Sequence, residues 1–311
     1  MLQVGFYLAA IAVCMGLGAA GDEVTDLKKV TGGLFFPEGP AYDGQETLYV
    51  SNCNRDFITR INLTTGVVST FQCAGDPSGF RFQRTNGMIV AEDGSLWVCD
   101  FGRNAIVRIK LDGTNELIAD RCGDRAFKGP NDLVFDAGGN LYFTDPTGSN
   151  VERPIGCVYR IDGNTHQVTC AAEGLAFPNG LAFSADGRWL YLNESSPQRV
   201  LRLRVHPDGA LGKPEVFIDL PGGEPDGMAF DTEGKLYVAH FGGSAVIVIS
   251  PDGKIVRRIS LPGKQVTNVE FAGMDLKTLY ITECETNAVY SIPVSAPGLP
   301  LFHWPGRRSA Q

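Results

Sequence analysis

Hydrophobic and polar positions alternate along this chain in a recurring block rather than in a helical stripe. The clearest copy, Asn131 to Asp145, reads NDLVFDAGGNLYFTD. It has a polar head, the apolar triplet Leu133, Val134 and Phe135, turn residues from Asp136 to Asn140, a second apolar run from Leu141 to Phe143, and a polar end. Such a block predicts an antiparallel hairpin. Five further copies begin at Glu38, Asn86, Asn179, Asp226 and Asn268, a period in the forties. That period, with several short strands per repeat, marks propeller blades rather than a helical solenoid.

Each copy is followed by a second alternating pair, such as Ala105 to Ile109 with Glu116 to Ala119. Four strands in each of six repeats predict an all-β chain: a six-bladed β-propeller with four-stranded antiparallel blades, in one domain over 21–311. Closing the ring without free sheet edges requires a blade built from both chain ends. Thr25 to Thr31 is expected as its outer strand, beside Leu299 to Trp304, with Pro305 to Gln311 frayed.

Residues 4–20 are apolar, uncharged and end in Gly18, Ala19 and Ala20. They read as a cleaved export signal over 1–20, although the usual basic residue ahead of the apolar core is missing. A retained membrane anchor is the competing reading. The expectation is a secreted or periplasmic protein with no membrane association after cleavage. A formal net charge of −8 opposes nucleic acid and anionic lipid. Nothing in the sequence sets the oligomeric state. Of eight cysteines, Cys14 lies in the leader. Cys157 and Cys170 flank a predicted turn symmetrically and are the first expected disulfide, with Cys53–Cys73 and Cys99–Cys122 as looser pairs. Asn62 and Asn193 head glycosylation sequons.

The head of each block opens an innermost strand, and the residue closing the next strand returns to the same face. The inner ring therefore reads Glu38, Asn86, Asn131, Asn179, Asp226 and Asn268; the outer ring reads Asn52, Asp100, Asp145, Glu194, His240 and Glu283. Any one of these residues is explained by strand capping. Six converging carboxylates and amides are costly to bury unpaired, and a cation would satisfy several at once. Oxygen ligands point to a divalent metal, Ca²⁺ ahead of Mg²⁺ or Mn²⁺, with Zn²⁺ disfavoured by the lack of a His/Cys set.

The ordered phrases FFPEGP, RTNG, GPNDLVFD, FPNGLAFSADG, PDGMAFD and TLYITE resemble the senescence marker protein/gluconolactonase/luciferin-regenerating enzyme family, and more distantly diisopropyl fluorophosphatase. The resemblance runs from Leu34 to Val294. It implies a calcium-dependent propeller hydrolase whose metal is held by Glu38, Asn179 and Asp226, with Asn131 as a further amide ligand. Arg84 and Asn86 resemble the substrate-contacting pair of the lactonases. Asp132, Asn268 and His240 complete the expected substrate-binding set, His240 being weighed between outer support and a proton shuttle. Cys284 stands where the fluorophosphatase branch has a histidine, which favours a lactonase over a phosphotriesterase.

The expected activity is hydrolysis of a sugar lactone or related ester, the metal polarising the carbonyl and Asp226 acting as base or nucleophile. Three alternatives are a non-catalytic metal-containing binding propeller, a phosphotriesterase-like hydrolase, and a strictosidine synthase-like enzyme. The metal-ring phrases count against the last.

Overall fold

Proline and glycine recur too often for long helices, and a computed structural model of the chain describes residues 26–73 and 81–301 without any helix. The expected leader, the tail Pro305 to Gln311 and the far end of the expected Leu299 to Trp304 strand lie outside these residues. Six four-stranded antiparallel sheets carry the chain, together with a two-stranded hairpin that pairs Arg121–Cys122 with Arg125–Ala126. The innermost strands are Pro37–Tyr42, Thr85–Val90, Leu133–Phe135, Pro178–Phe183, Glu224–Phe230 and Val266–Ala272. Their neighbours are Thr47–Asn52, Leu96–Asp100, Leu141–Asp145, Trp189–Glu194, Leu236–Phe241 and Thr278–Glu283. Taken in this order they define blades 1 to 6.

Turn chemistry fixes the register within each blade. Asp136 Oδ1 accepts the N–H groups of Gly138 and Asn140, while Asp43 and Asp231 do the same work in blades 1 and 5. An aspartate that binds its own following backbone sets the tight turn. The inner strands are covered on both faces by neighbouring blades, so they read as continuous apolar runs rather than alternating ones. Leu133, Val134 and Phe135 are all buried. Outer strands such as Ile255–Ser260 are largely exposed.

Lys28–Gly32 pairs with Ala288–Pro293, placing Lys28 opposite Ser291, so the first strand completes the last blade. Among the described residues, the segment from Leu299 expected beside that strand does not pair with it. Leu299 instead donates its N–H to the Phe230 carbonyl, and the chain crosses the far face from blade 6 to blade 5. Gly298 likewise bridges Asp231 of blade 5, and Pro300 has no N–H to give a ladder. Leu299 and Leu301 close the far end of the axial channel. At the seam between the first and last blades, Leu48 and Val50 pack with Leu279, Ile281 and Val289. Burying each such side chain contributes roughly 1.5–3 kcal/mol, so the seam is held by packing as well as by the strand ladder.

Candidate active site at the mouth of the channel

In five blades the ladder is pinned at the start of the inner strand and then slips: Pro37 faces Asn52, Thr85 faces Asp100, Pro178 faces Glu194, Pro225 faces His240 and Val266 faces Glu283. The register shift falls at or beside Glu38, Asn86, Asn179, Asp226 and Asn268. A bulge re-aims the side chain it carries; here that side chain is the head of each repeat. In blade 3 the strand begins later, and Asn131 and Asp132 precede it, tied to Thr144 by backbone hydrogen bonds.

Close packing round the axis explains the residue that follows each head. A methyl group added at Gly87 would collide with Asp132 Oδ1, and one at Gly227 with the Asn268 amide. The glycine of N-G and D-G is therefore demanded by the neighbouring blade, not by a turn. Asp132 occupies the corresponding position in blade 3 and brings an extra carboxylate to the ring.

Buried donors of one blade fix the backbone of the next. Asn193 Nδ2 donates to the Asp226 carbonyl at 2.5 Å, and Ser195 Oγ donates to the Pro225 carbonyl at 2.7 Å. Ser51 Oγ holds the Asn86 carbonyl at 2.6 Å, while Thr267 Oγ1 holds the Pro37 carbonyl beside Glu38 at 2.8 Å. These contacts cross blade boundaries, so nothing in the local sequence announces them.

The amides divide by role. Asn179 Nδ2 donates to Ser195 Oγ at 3.2 Å, and its side chain also hydrogen-bonds Asp226. With the amide hydrogens so engaged, Oδ1 is the atom left to ligate; oxygen and nitrogen are assigned from the network. Asn268 is oriented the other way. Its Oδ1 accepts the Val269 N–H at 2.8 Å, and its side chain hydrogen-bonds both Glu38 and Asp132. It serves the carboxylates as a donor.

Burial and repulsion from Asp132 push the Glu38 carboxyl up to about 8, against the lowering effect of the Gly39 N–H and Asn268. Asp226 is raised well above the ordinary carboxylate range by burial and by the charges of Glu38 and Asp132. Burial lifts Asp132 to about 7. Farther down the channel Glu270 is lifted to about 8, again mainly by burial. The sequence reading missed Glu270, which replaces the apolar residue found at the matching positions Pro40, Met88, Leu133, Leu181 and Met228. Mutually repelling carboxylates with an amide oxygen beside them fit a hard divalent cation. Glu38, Asp226 and Asn179 are the residues that could hold it, with Asn131 half-buried at the head of blade 3. Among the described residues, the one set of three or more His, Cys, Asp or Glu ligand atoms lying within 4.8 Å of each other is Cys157, Cys170 and Glu173. A cation at the mouth would thus depend on amides as well as acids.

Arg84 is exposed, with its guanidinium 5.1 Å from the centre of the Phe101 ring and its backbone N–H on Asp56. Asn86 is buried in the ring. The outer ring is occupied with loop capping. Asn52 accepts the N–H of Phe35, Asp100 that of Gln83, Asp145 that of Lys128, Glu194 that of Ala176 and Glu283 that of Gln265. Glu194 also pairs with Arg199 at 2.6 Å. His240 takes the equivalent place in blade 5, with Nε2 3.1 Å from the Leu220 carbonyl, and burial lowers its pKa. Its contacts are those of a neutral loop support.

Cysteines depart from expectation. Cys53, Cys99, Cys122, Cys157, Cys170 and Cys284 are free thiols, so neither the first expected pair, Cys157–Cys170, nor either looser pair is bridged. Cys99 is fully buried in the core beside Phe127 and Phe143, where it packs as a small hydrophobe. Cys284 lies under the mouth with Sγ 3.4 Å from the Pro37 carbonyl.

A closed six-bladed ring whose strand heads bring carboxylates and amides to one mouth defines a propeller with a small polar site on its axis. The SMP-30/Gluconolactonase/LRE-like region profile matches residues 36–285, and the chain belongs to that lactonase-type hydrolase family. It is 28% identical over 284 residues to 6-deoxy-6-sulfogluconolactonase of Pseudomonas putida, covering 83% of this chain and 91% of the relative. Identity to the diisopropyl-fluorophosphatase of Loligo vulgaris is 31% over 288 residues, covering 84% and 90%. The solved structure of a gluconolactonase from Xanthomonas campestris superposes with a TM-score of 0.76 at 27% identity, covering 86% of this chain and 89% of that one.

Proposed function

We propose that this protein is a divalent-metal-dependent hydrolase of sugar lactones, with Ca²⁺ the first candidate ion. The observation that carries the reading is the convergence of Glu38 and Asp226 with Asn179, whose oxygen is left unengaged by the surrounding hydrogen bonds. A cation held by these groups and Asn131 would supply polarisation of the lactone carbonyl. In this reading Asp226 takes the proton of the attacking water, with its backbone held by Asn193 and Ser195. Asn268 donates to the neighbouring carboxylates and keeps Glu38 and Asp132 oriented. Arg84 offers guanidinium donors to sugar hydroxyls, and Asn86 lies beside it at the ring.

The likeness to the Loligo enzyme favours organophosphate hydrolysis as the second reading. Against it, Cys284 supplies a buried thiol and no imidazole. Metal analysis of the purified chain, combined with initial rates on glucono-1,5-lactone, pentonolactones and diisopropyl fluorophosphate, tests both. Metal-dependent lactone turnover that exceeds organophosphate turnover is expected. Tight metal binding without turnover of either class would make the mouth a binding platform instead.

A further inference from the structure

A second cluster of reactive side chains lies away from the mouth, on the outer strands of blade 3. Gly156–Ile161 and Val168–Leu175 pair with Tyr159 opposite Cys170 and Cys157 opposite Glu173, and a bulge falls between these two pairings. The extra residue brings Cys157, Cys170 and Glu173 together, with their ligand atoms all within 4.8 Å of each other. The hairpin formed by Arg121–Cys122 and Arg125–Ala126 meets this face through Arg125. From it Arg125 Nη2 donates to Cys157 Sγ at 3.0 Å, and Nη1 lies 3.4 Å from Glu173 Oε2. Cys157 is 2% exposed, whereas Cys170 is open to solvent.

We propose that Cys157 and Cys170 form a thiol–disulfide exchange site for low-molecular-weight disulfides, with Arg125 positioning the Cys157 thiolate. The exposed Cys170 thiolate attacks a disulfide RSSR, forming Cys170–S–S–R and releasing RS⁻. The buried Cys157 thiolate then attacks Cys170 Sγ, closing the intramolecular disulfide and releasing a second RS⁻. Two protein thiols are oxidised, one RSSR is reduced to two RSH, and the protons of the cysteines go to the departing thiolates. Access sets this order, since Cys170 is open to solvent and Cys157 is buried. The hydrogen bond from Cys170 and the charge of Arg125 lower Cys157 to about 7, which readies it for the second, ring-closing attack; Cys170 is raised by the same hydrogen bond, so its first attack speeds up as pH rises. The same guanidinium opposes a soft metal cation, which would have to displace it from the thiolate.

The test uses the full, reduced chain incubated with oxidised glutathione, quenched with iodoacetamide and mapped by peptide mass. The expected product joins Cys157 to Cys170, reverts with dithiothreitol, and raises Tm by roughly 5–10 °C through closure of a short loop. Cys157→Ser should halt the reaction at a glutathione adduct on Cys170, and Arg125→Met should slow ring closure about tenfold at pH 7. Three results would each overturn the proposal: a persistent adduct on Cys170 in the unaltered chain, full alkylation of both thiols after oxidation of the folded protein, or protection of both thiols by Zn²⁺ alone.

Discussion

Asn193 reaches across the boundary between blades 4 and 5 and donates to the backbone carbonyl of Asp226 at 2.5 Å. The side chain is fully buried. The sequon it heads is therefore closed to glycosylation in the folded chain, and the residue's work is to hold the backbone of the proposed base. Replacing it with alanine leaves that carbonyl unpaired, a cost of about 1–3 kcal/mol. It also frees Asp226 to shift. Denaturant unfolding should show that loss, and lactone kcat should fall roughly ten- to hundred-fold, since small misplacements of reacting groups are expensive. Unchanged kinetics would mean that Asp226 is positioned by Ser195 and Asn179 alone.

Asp226→Asn retains the shape and the hydrogen bond to Asn179 but removes the proton acceptor. Lactone turnover should vanish while far-ultraviolet circular dichroism is preserved. In the metal-free protein the variant should also unfold at a higher temperature at pH 8 than the parent, because a carboxyl repelled by Glu38 and Asp132 is gone. Full activity in this variant would remove Asp226 from the chemistry.

Gly227→Ala tests the close approach around the axis. The added methyl would collide with the Asn268 amide, which bonds Glu38 and Asp132. Overpacking of this kind costs about 1–3 kcal/mol. Lactone kcat/KM should drop with it, measured alongside a thermal melt. An alanine variant with parental stability and activity would show that the ring has slack.

The heads of the repeats were legible because each one opens a strand, and the strand period put them at one end of the molecule. The period placed Glu38, Asn179 and Asp226 in the inner ring, and the family resemblance singled them out as the expected metal ligands. Glu270 was hidden two residues inside a run that otherwise reads as apolar. The support given by Asn193, Ser195 and Thr267 was invisible because those contacts join residues of different blades or distant strands. The outer ring was placed at the correct end of the sheet, but the sequence held no sign that its side chains turn to the loop N–H groups. Closure by the first strand was foreseen; its partner was not, since the prolines near Leu299 divert the chain across the channel.

The raised carboxyls also set a pH dependence for the metal-free protein. Glu38, with a folded value of about 8 against an ordinary 4.5, keeps its proton in the folded state over a range where the unfolded chain has lost it. More protons are then bound by the native state, so stability falls as pH rises from about 4.5 to about 8. Asp226 and Asp132, raised for similar reasons, act in the same direction. A divalent cation binds the ionised carboxylates and competes with their protons, so its affinity strengthens over the same interval. Saturating Ca²⁺ should therefore raise Tm more at pH 8 than at pH 5.5, and a chelator should restore the steeper decline. At 100 times Kd the stabilisation is about 2.7 kcal/mol. Equal Tm shifts at both pH values would mean that calcium binds elsewhere than on these carboxyls.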